Sequence, residues 1–434
     1  MSIIRVLIFR FSHAYSSIIS SLKSGFKKKK RCIVVCWNAS HNPIGRAFLF
    51  ADFLKPEYKT LLVGPIFERF GPKIWKPLRR YPIRTKFFKG HSFPVLLDEI
   101  DKFSETIPPA DLIIICKPRM PSILLGLKLA SKNNAQVILD IDDHELAFCE
   151  EQTPIDKEAV LASSLEERLN PFSDTWTRYA ESLVNSFKLK SVSNIALQKK
   201  FGGAIIPHVR DDYRFNPRRY PRNFLRRLFG YKKRDKIVLF LGTPRGHKGF
   251  QYLPTALKEI DNPNYKLLIV GKIKSRELRK QFAEDFDFPF LKNIGDVSFR
   301  LAPYILAMGD LVCLIQDPNS PVSKFQMPAK FTDALAMGIP VIATATEPIQ
   351  PLVEKELVYE LRPEEKLSEK INLILSNDLV RERALENRSK FISEFSYRFG
   401  HSVVRNELLK ETGDMSQEPS YSELNKLIRA VMQC

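Results

Sequence analysis

The chain is expected to be α/β, with two Rossmann-like doubly wound domains facing a cleft and an N-terminal amphipathic helix ahead of them. Two observations predict this. Short, near-continuous apolar runs alternate with helix-like stretches from Cys32 onward, and the same alternation restarts after a Pro- and Arg-rich break at residues 209–235. The length of 434 residues suits two domains or three, not one.

The elements follow in order. Residues 32–37 and 59–64 read as strands with a helix between them over 43–54. Residues 110–116 and 135–142 are near-continuous apolar runs bounded by polar residues, as strands buried on both faces of a parallel sheet should be. The segment 121–132 is their crossover helix, with Pro121 suited to its first turn. Residues 150–188 look mostly helical, and a short strand, a helix at 195–201 and the segment 204–209 complete the first half. After the break, strands are expected at 236–242, 265–271, 310–315, 339–344 and, more weakly, 357–361, with a last helix near the end. This gives a basic amphipathic leader at 1–31, a first domain at 32–208, a basic linker at 209–235, a second domain at 236–390 and C-terminal helices at 391–434.

Composition narrows the function classes. Hydrophobic residues at 44% and charged residues at 27% are globular values, neither disordered nor membrane-embedded. The six cysteines show no paired spacing, so they read as scattered reduced thiols rather than a disulfide scaffold or a zinc ribbon. The net charge of +19 is regional. Basic runs at 1–31, 68–89 and 209–236 account for more than all of it and leave the remainder slightly acidic. Solvated loops are the plainer reading of any single run; three together point to a surface that meets something anionic.

The first run is also amphipathic. Ile4, Ile8, Phe11, Tyr15, Ile18, Leu22 and Phe26 form one helical stripe that ends in a cluster of lysines. It is too short and too polar to span a bilayer, yet suited to lying in an anionic headgroup layer. A helix packed on the protein itself, or a disordered leader, would carry the same pattern. Nucleic acid is not expected as a partner, because the runs lack interleaved aromatics and no nucleic-acid-binding signature is present.

Ligands of such sheets bind beyond the carboxyl ends of the strands, so the loops there are where chemistry is expected. No GxGxxG follows the first strand, and no P-loop, serine-hydrolase or zinc-protease motif occurs. Two positive signals remain. Gly242 to Gly249 follows a strand directly, and Arg245 and Lys248 place two cations between its glycines. That suits a diphosphate, or a basic turn with a glycine cap. Further on, Pro328, Lys330, Asp333, Gly338 and Pro340 trace a helix start, one helix face and a helix stop before a buried strand. Asp333 is placed to accept from vicinal hydroxyls, or to pair with Lys330 at the surface.

Together and in this order, these residues resemble the donor domain of retaining, family 4-type glycosyltransferases of the GT-B fold. The resemblance covers roughly residues 32–400 and is strongest in the second domain. Gly242 and Lys248 keep the spacing at which that family's lysine grips the donor diphosphate, and Arg245 stands near the place of its arginine. Asp333, Gly338, Pro340 and Val341 match the second half of the later motif. Phe325 falls where the family has its first acidic residue, with Gln326 beside it, and a Pro-x-Lys pattern at Pro328 and Lys330 resembles a sub-branch. In the first domain, Asp142 and Asp143, followed by His144, fall where the family has a His-Asp pair. They would act as base or position an acceptor hydroxyl, although Asp142 could equally cap the next helix. Gly45 and Arg46 resemble the family's glycine loop after the first strand.

The resemblance implies a transferase moving a sugar from a UDP- or GDP-linked nucleotide sugar to an acceptor, with retention. It implies no cofactor and no obligatory metal, since Arg245 and Lys248 would neutralise the leaving diphosphate. With the basic runs it suggests a cytoplasmic enzyme, peripheral on the inner face of the membrane, acting on a lipid-linked or envelope glycan. A nucleotide-sugar epimerase of the same fold and a non-catalytic basic protein binding membrane or nucleic acid are the alternatives.

Overall fold

The computed structural model describes residues 29–79, 81–132, 134–242, 249–273, 290–410 and 419–433. The leader therefore lies outside the described residues apart from Lys29, Lys30 and Arg31.

The first sheet has seven parallel strands. They are β1 (Arg31–Cys36), β2 (Lys59–Ile66), β3 (Thr85–Lys89), β4 (Leu112–Cys116), β5 (Gln136–Ile141), β6 (Lys190–Val192) and β7 (Ala204–Ile205), in the order β3-β2-β1-β4-β5-β6-β7. The second sheet has six: β8 (Lys236–Leu241), β9 (Tyr265–Val270), β10 (Leu291–Asn293), β11 (Leu311–Leu314), β12 (Val341–Ala343) and β13 (Tyr359–Glu360), in the order β10-β9-β8-β11-β12-β13. Both orders reverse beside the first strand of their domain, which places the switch points at β1/β4 and β8/β11. Alternation along β1 shows why the strands read as unbroken apolar runs. Ile33 and Val35 enter one core, while Cys32, Val34 and Cys36 enter the other. The described cysteines are buried and free.

The sequence reading missed β3 and β10. Both are edge strands. The first, TKFFK, is half charged and largely exposed, and the second is three residues long, so neither carries a buried-strand pattern.

The stretch expected as a linker is packed. Phe215, Leu225 and Tyr231 belong to the second domain's core, and Arg222 and Arg226 both grip Asp310. Arg210 and Arg214 also turn inward, onto Asp333 and onto the Tyr81 hydroxyl with the Phe299 carbonyl. Half-burying four arginines against acceptors removes them from any solvated basic face. The 68–89 run differs: Arg69, Lys73, Lys76, Arg79, Arg84, Lys86 and Lys89 are all exposed.

The C-terminal helices return to the first domain. Tyr397 and Tyr81 both donate to Asp52 Oδ2, at 2.7 and 2.8 Å, and Val403, Val404 and Leu408 join that domain's core. The helix Tyr421–Val431 packs on the opposite face of the same sheet. Among the described residues, no helix is long and apolar enough to cross a membrane.

Candidate functional site

β4 ends at Cys116, and the next residue, Lys117, turns the chain at φ 71°. That is a conformation L-residues seldom adopt, and it is held by the Lys117 N–H donating to the Asp140 carbonyl at 2.8 Å. The turn aims the lysine across the end of β5. Its Nζ stands 2.9 Å from Asp142 Oδ1, 2.7 Å from Asp143 Oδ2 and 2.9 Å from Glu145 Oε1. Three carboxylates thus surround one ammonium at 5% exposure. Arg119, two residues on, takes the other oxygen of Glu145 at 2.6 Å.

This geometry separates the two aspartates. Burial is the largest influence on Asp142 and pushes its carboxyl up, to about 7, against the pull of Lys117. The ammonium pairs with it electrostatically but lies off the hydrogen-bond direction, so Asp142 Oδ1 has no hydrogen-bond partner. Asp143 is buried too, yet Lys117 and a hydrogen bond from Gln326 outweigh that burial and hold it below the usual carboxylate range. Burial would likewise push Lys117 down, but its three carboxylates hold it well above the ordinary lysine value. One carboxyl near neutrality beside one that stays ionised is a pattern of catalytic acid–base sites.

Gln326 comes from the second domain. Its Nε2 donates to Asp143 Oδ1 at 2.9 Å. Phe325 packs edge-on against His144 with ring centroids 4.8 Å apart, and its carbonyl accepts from Asn194 Nδ2 at 2.9 Å. An aromatic at this position thus serves a contact between the domains. His144 itself turns toward Glu181, 3.1 Å away. His208 lies nearby; burial, then Arg46 and Arg210, push its ring well below the usual histidine value, so it is neutral at pH 7.

The remaining expected residues divide. Gly45 is the second residue of the helix Ile44–Phe53, and a Cβ there would meet nothing within 4 Å. Arg46 does not face an acceptor. Its guanidinium is fully buried, bonded twice to Asp140 at 2.8 Å and also to the carbonyls of Ile206 and Pro207. Ser191 completes Asp140 at 2.7 Å. Arg46 ties together three elements, an interior role that a turn motif could not reveal.

In the second domain, Gly242 follows β8 at φ 119°, and a Cβ on it would lie 3.2 Å from Lys330 Cε. The two sequence signals therefore meet in space. Lys330 Nζ sits 3.5 Å above the Phe240 ring. Asp333 does not pair with Lys330; Arg210 holds its Oδ1 at 2.6 Å. Arg245 and Lys248 lie outside the described residues. Lys117, Arg119, Glu145, Gln326 and His208 are participants to which sequence reasoning gave no role. Only Lys117 had a signal: a basic residue directly after a buried strand.

Residues 221–391 match the family described as glycosyl transferases group 1, a stretch that contains Gly242, Lys330 and Asp333. The chain has the GT-B fold. Among solved structures it is similar to HepE of Anabaena in complex with UDP and glucose, with a TM-score of 0.64 and 18% identity over 88% of this chain and 100% of that one. It is also similar to WaaG, a glycosyltransferase involved in lipopolysaccharide biosynthesis, with a TM-score of 0.55 and 13% identity over 88% and 99%. A putative UDP-N-acetylglucosamine 2-epimerase of Listeria monocytogenes has a TM-score of 0.52 and 11% identity over 91% and 99%. No curated protein matches.

Proposed function

We propose that the chain is a glycosyltransferase that moves a hexosyl group from a UDP- or GDP-linked sugar to an acceptor hydroxyl. The observation that carries this reading is the meeting of Gly242 with Lys330 at the end of β8, inside the stretch that matches the group 1 family. A glycine backbone with a lysine over it leaves room for a diphosphate and supplies a cation for the charge that develops on departure. Arg245 and Lys248 would add to that charge. Asp333, with one oxygen held by Arg210, would offer the other to a ribose hydroxyl.

The first domain supplies the acceptor side. In this reading Asp142 takes or orients the acceptor's proton, and Asp143, held ionised, favours positive charge developing at the anomeric carbon; the opposite shifts of the two carboxyls support it. Gln326 joins Asp143 only when the domains are together, so closure over the donor completes the site. Retention of configuration is carried over from the family resemblance.

The exposed bases at 68–89, with the leader, support an acceptor held at an anionic membrane, namely a lipid-linked or envelope glycan on the cytoplasmic face. Flotation of the full chain on anionic vesicles, against a variant lacking residues 1–31, tests that placement. Equal flotation removes the leader from it.

The reaction is tested by supplying nucleotide sugars with and without a glycan acceptor and following nucleoside diphosphate release. Acceptor-dependent release is expected. A change of the donor sugar without acceptor would instead identify an epimerase, the activity named for one fold neighbour.

A further inference from the structure

Beyond the ends of β11 and β12, beside the start of the helix Tyr252–Ile260, lies an open pocket of about 490 Å³. That volume falls within the roughly 300–1,000 Å³ common to small-molecule sites. Its walls include Gln251, Tyr252, Gln316, Asp317, Ser320 and Thr344. Gln316 stands out. It is 3% exposed, and neither its amide nitrogen nor its amide oxygen has a hydrogen-bond partner. The Gln251 amide oxygen is also unpaired. The Gln316 backbone is fixed, because its N–H donates to Thr344 Oγ1 at 3.0 Å while that hydroxyl donates back to the Gln316 carbonyl at 2.7 Å.

We propose that this pocket binds a neutral sugar ring, and that Gln316 reads its hydroxyls. Buried amides are almost always paired, so one buried without a partner at either end, on the wall of a cavity, is a group whose partners arrive with a ligand once the side chain turns. With its backbone held, Gln316 reaches the pocket by rotating its own side-chain bonds alone. An amide both donates and accepts, which matches vicinal hydroxyls, each of which does the same. The charge argues for the same ligand. No cation stands among the pocket's lining residues and the one charged group is Asp317, so a phosphate is disfavoured there. Tyr252, 53% exposed, offers an aromatic face at the mouth. As the glycosyl part of a nucleotide-sugar donor, the ligand rests on the function proposed above; as a free sugar, it does not.

The test measures binding of UDP, GDP, their hexosyl conjugates and free hexoses to the full chain, for wild type, Gln316→Met and Ser320→Ala. Calorimetry reads the nucleotides, and saturation-transfer NMR reads the free sugars. Gln316→Met removes two unpaired polar atoms and should melt at or above the wild-type temperature. It should bind the sugar conjugate about tenfold more weakly while holding the bare nucleotide unchanged. Ser320→Ala, on another wall, should weaken the conjugate in the same selective way. If no nucleotide binds wild type, but free hexose contacts it and not Gln316→Met, the donor reading fails and the sugar pocket stands. The proposal is overturned if Gln316→Met binds every sugar form as wild type does, if it loses nucleotide and conjugate equally, or if no sugar form binds wild type.

Discussion

Gln326 of the second domain donates its side-chain amide to Asp143 of the first at 2.9 Å, so a hydrogen bond ties a candidate catalytic carboxylate to the opposite half of the molecule. The same carboxylate is held from its own domain by Lys117 at 2.7 Å. Asp143 thus has one partner on each side of the cleft.

Replacing Gln326 by Ala should therefore act on the reaction and leave the fold intact. Asp143 loses one of the groups that hold its carboxyl down and favour its ionised form, while the acid limb of the kcat/KM profile, set by Asp142 at about 7, should stay in place. A hydrogen bond to a charged group contributes about 1.5–3 kcal/mol, which corresponds to a loss of roughly 10- to 100-fold in kcat/KM. Nucleotide affinity should not change. An unchanged kcat/KM would separate Gln326 from the chemistry.

Asp142 should leave a mark on stability against pH. Its carboxyl sits near 3.8 when unfolded and is pushed up to about 7 in the fold. Between those values the folded state binds the extra proton, so this group's contribution falls as pH rises, by at most about 1.4 kcal/mol per pH unit. Asn mimics the protonated form and does not titrate. The melting temperature of Asp142→Asn relative to wild type should therefore climb between pH 5 and pH 8. A difference that stays flat would contradict the raised value.

Arg46 and Asp140 form a pair with no exposed side-chain surface. Arg46→Met leaves Asp140 buried and uncompensated, at a cost of about 3–5 kcal/mol in a urea titration. The double variant Arg46→Met with Asp140→Leu should recover most of that loss, because it removes both charges. If Arg46→Met instead folded normally and raised only the KM for acceptor, the arginine would belong to the acceptor site after all.

Gly242→Ala combines strain with crowding. The residue would adopt φ 119° and press a Cβ to 3.2 Å from Lys330 Cε. A loss of about 1–3 kcal/mol is expected, seen as weaker nucleotide binding and a lower melting temperature. Unchanged binding would place the diphosphate elsewhere.

The two sheets were legible because their central strands are buried on both faces and so appear as unbroken apolar runs such as Leu112–Cys116. The edge strands were not, since Thr85–Lys89 is mostly exposed and carries no such run. In the site, Gly242 and Lys330 could be read from local motifs because glycine spacing and helix starts are local. The Lys117 cluster could not. It depends on a residue at positive φ reaching three carboxylates 25 to 28 positions away, and on a glutamine 183 positions beyond Asp143. Arg46 shows the reverse failure: its motif suggested a ligand, while the partners that occupy it, Asp140, Ile206 and Pro207, are distant in sequence.

The most direct test of the nucleotide-sugar reading is thermal shift of the full chain with UDP, GDP, ADP and CMP and then their common sugars, for wild type and Lys248→Ala. The account predicts that one nucleotide raises the wild-type melting temperature, that its sugar conjugate does so as well, and that Lys248→Ala abolishes both shifts. A well-folded wild type that responds to none of them would contradict it.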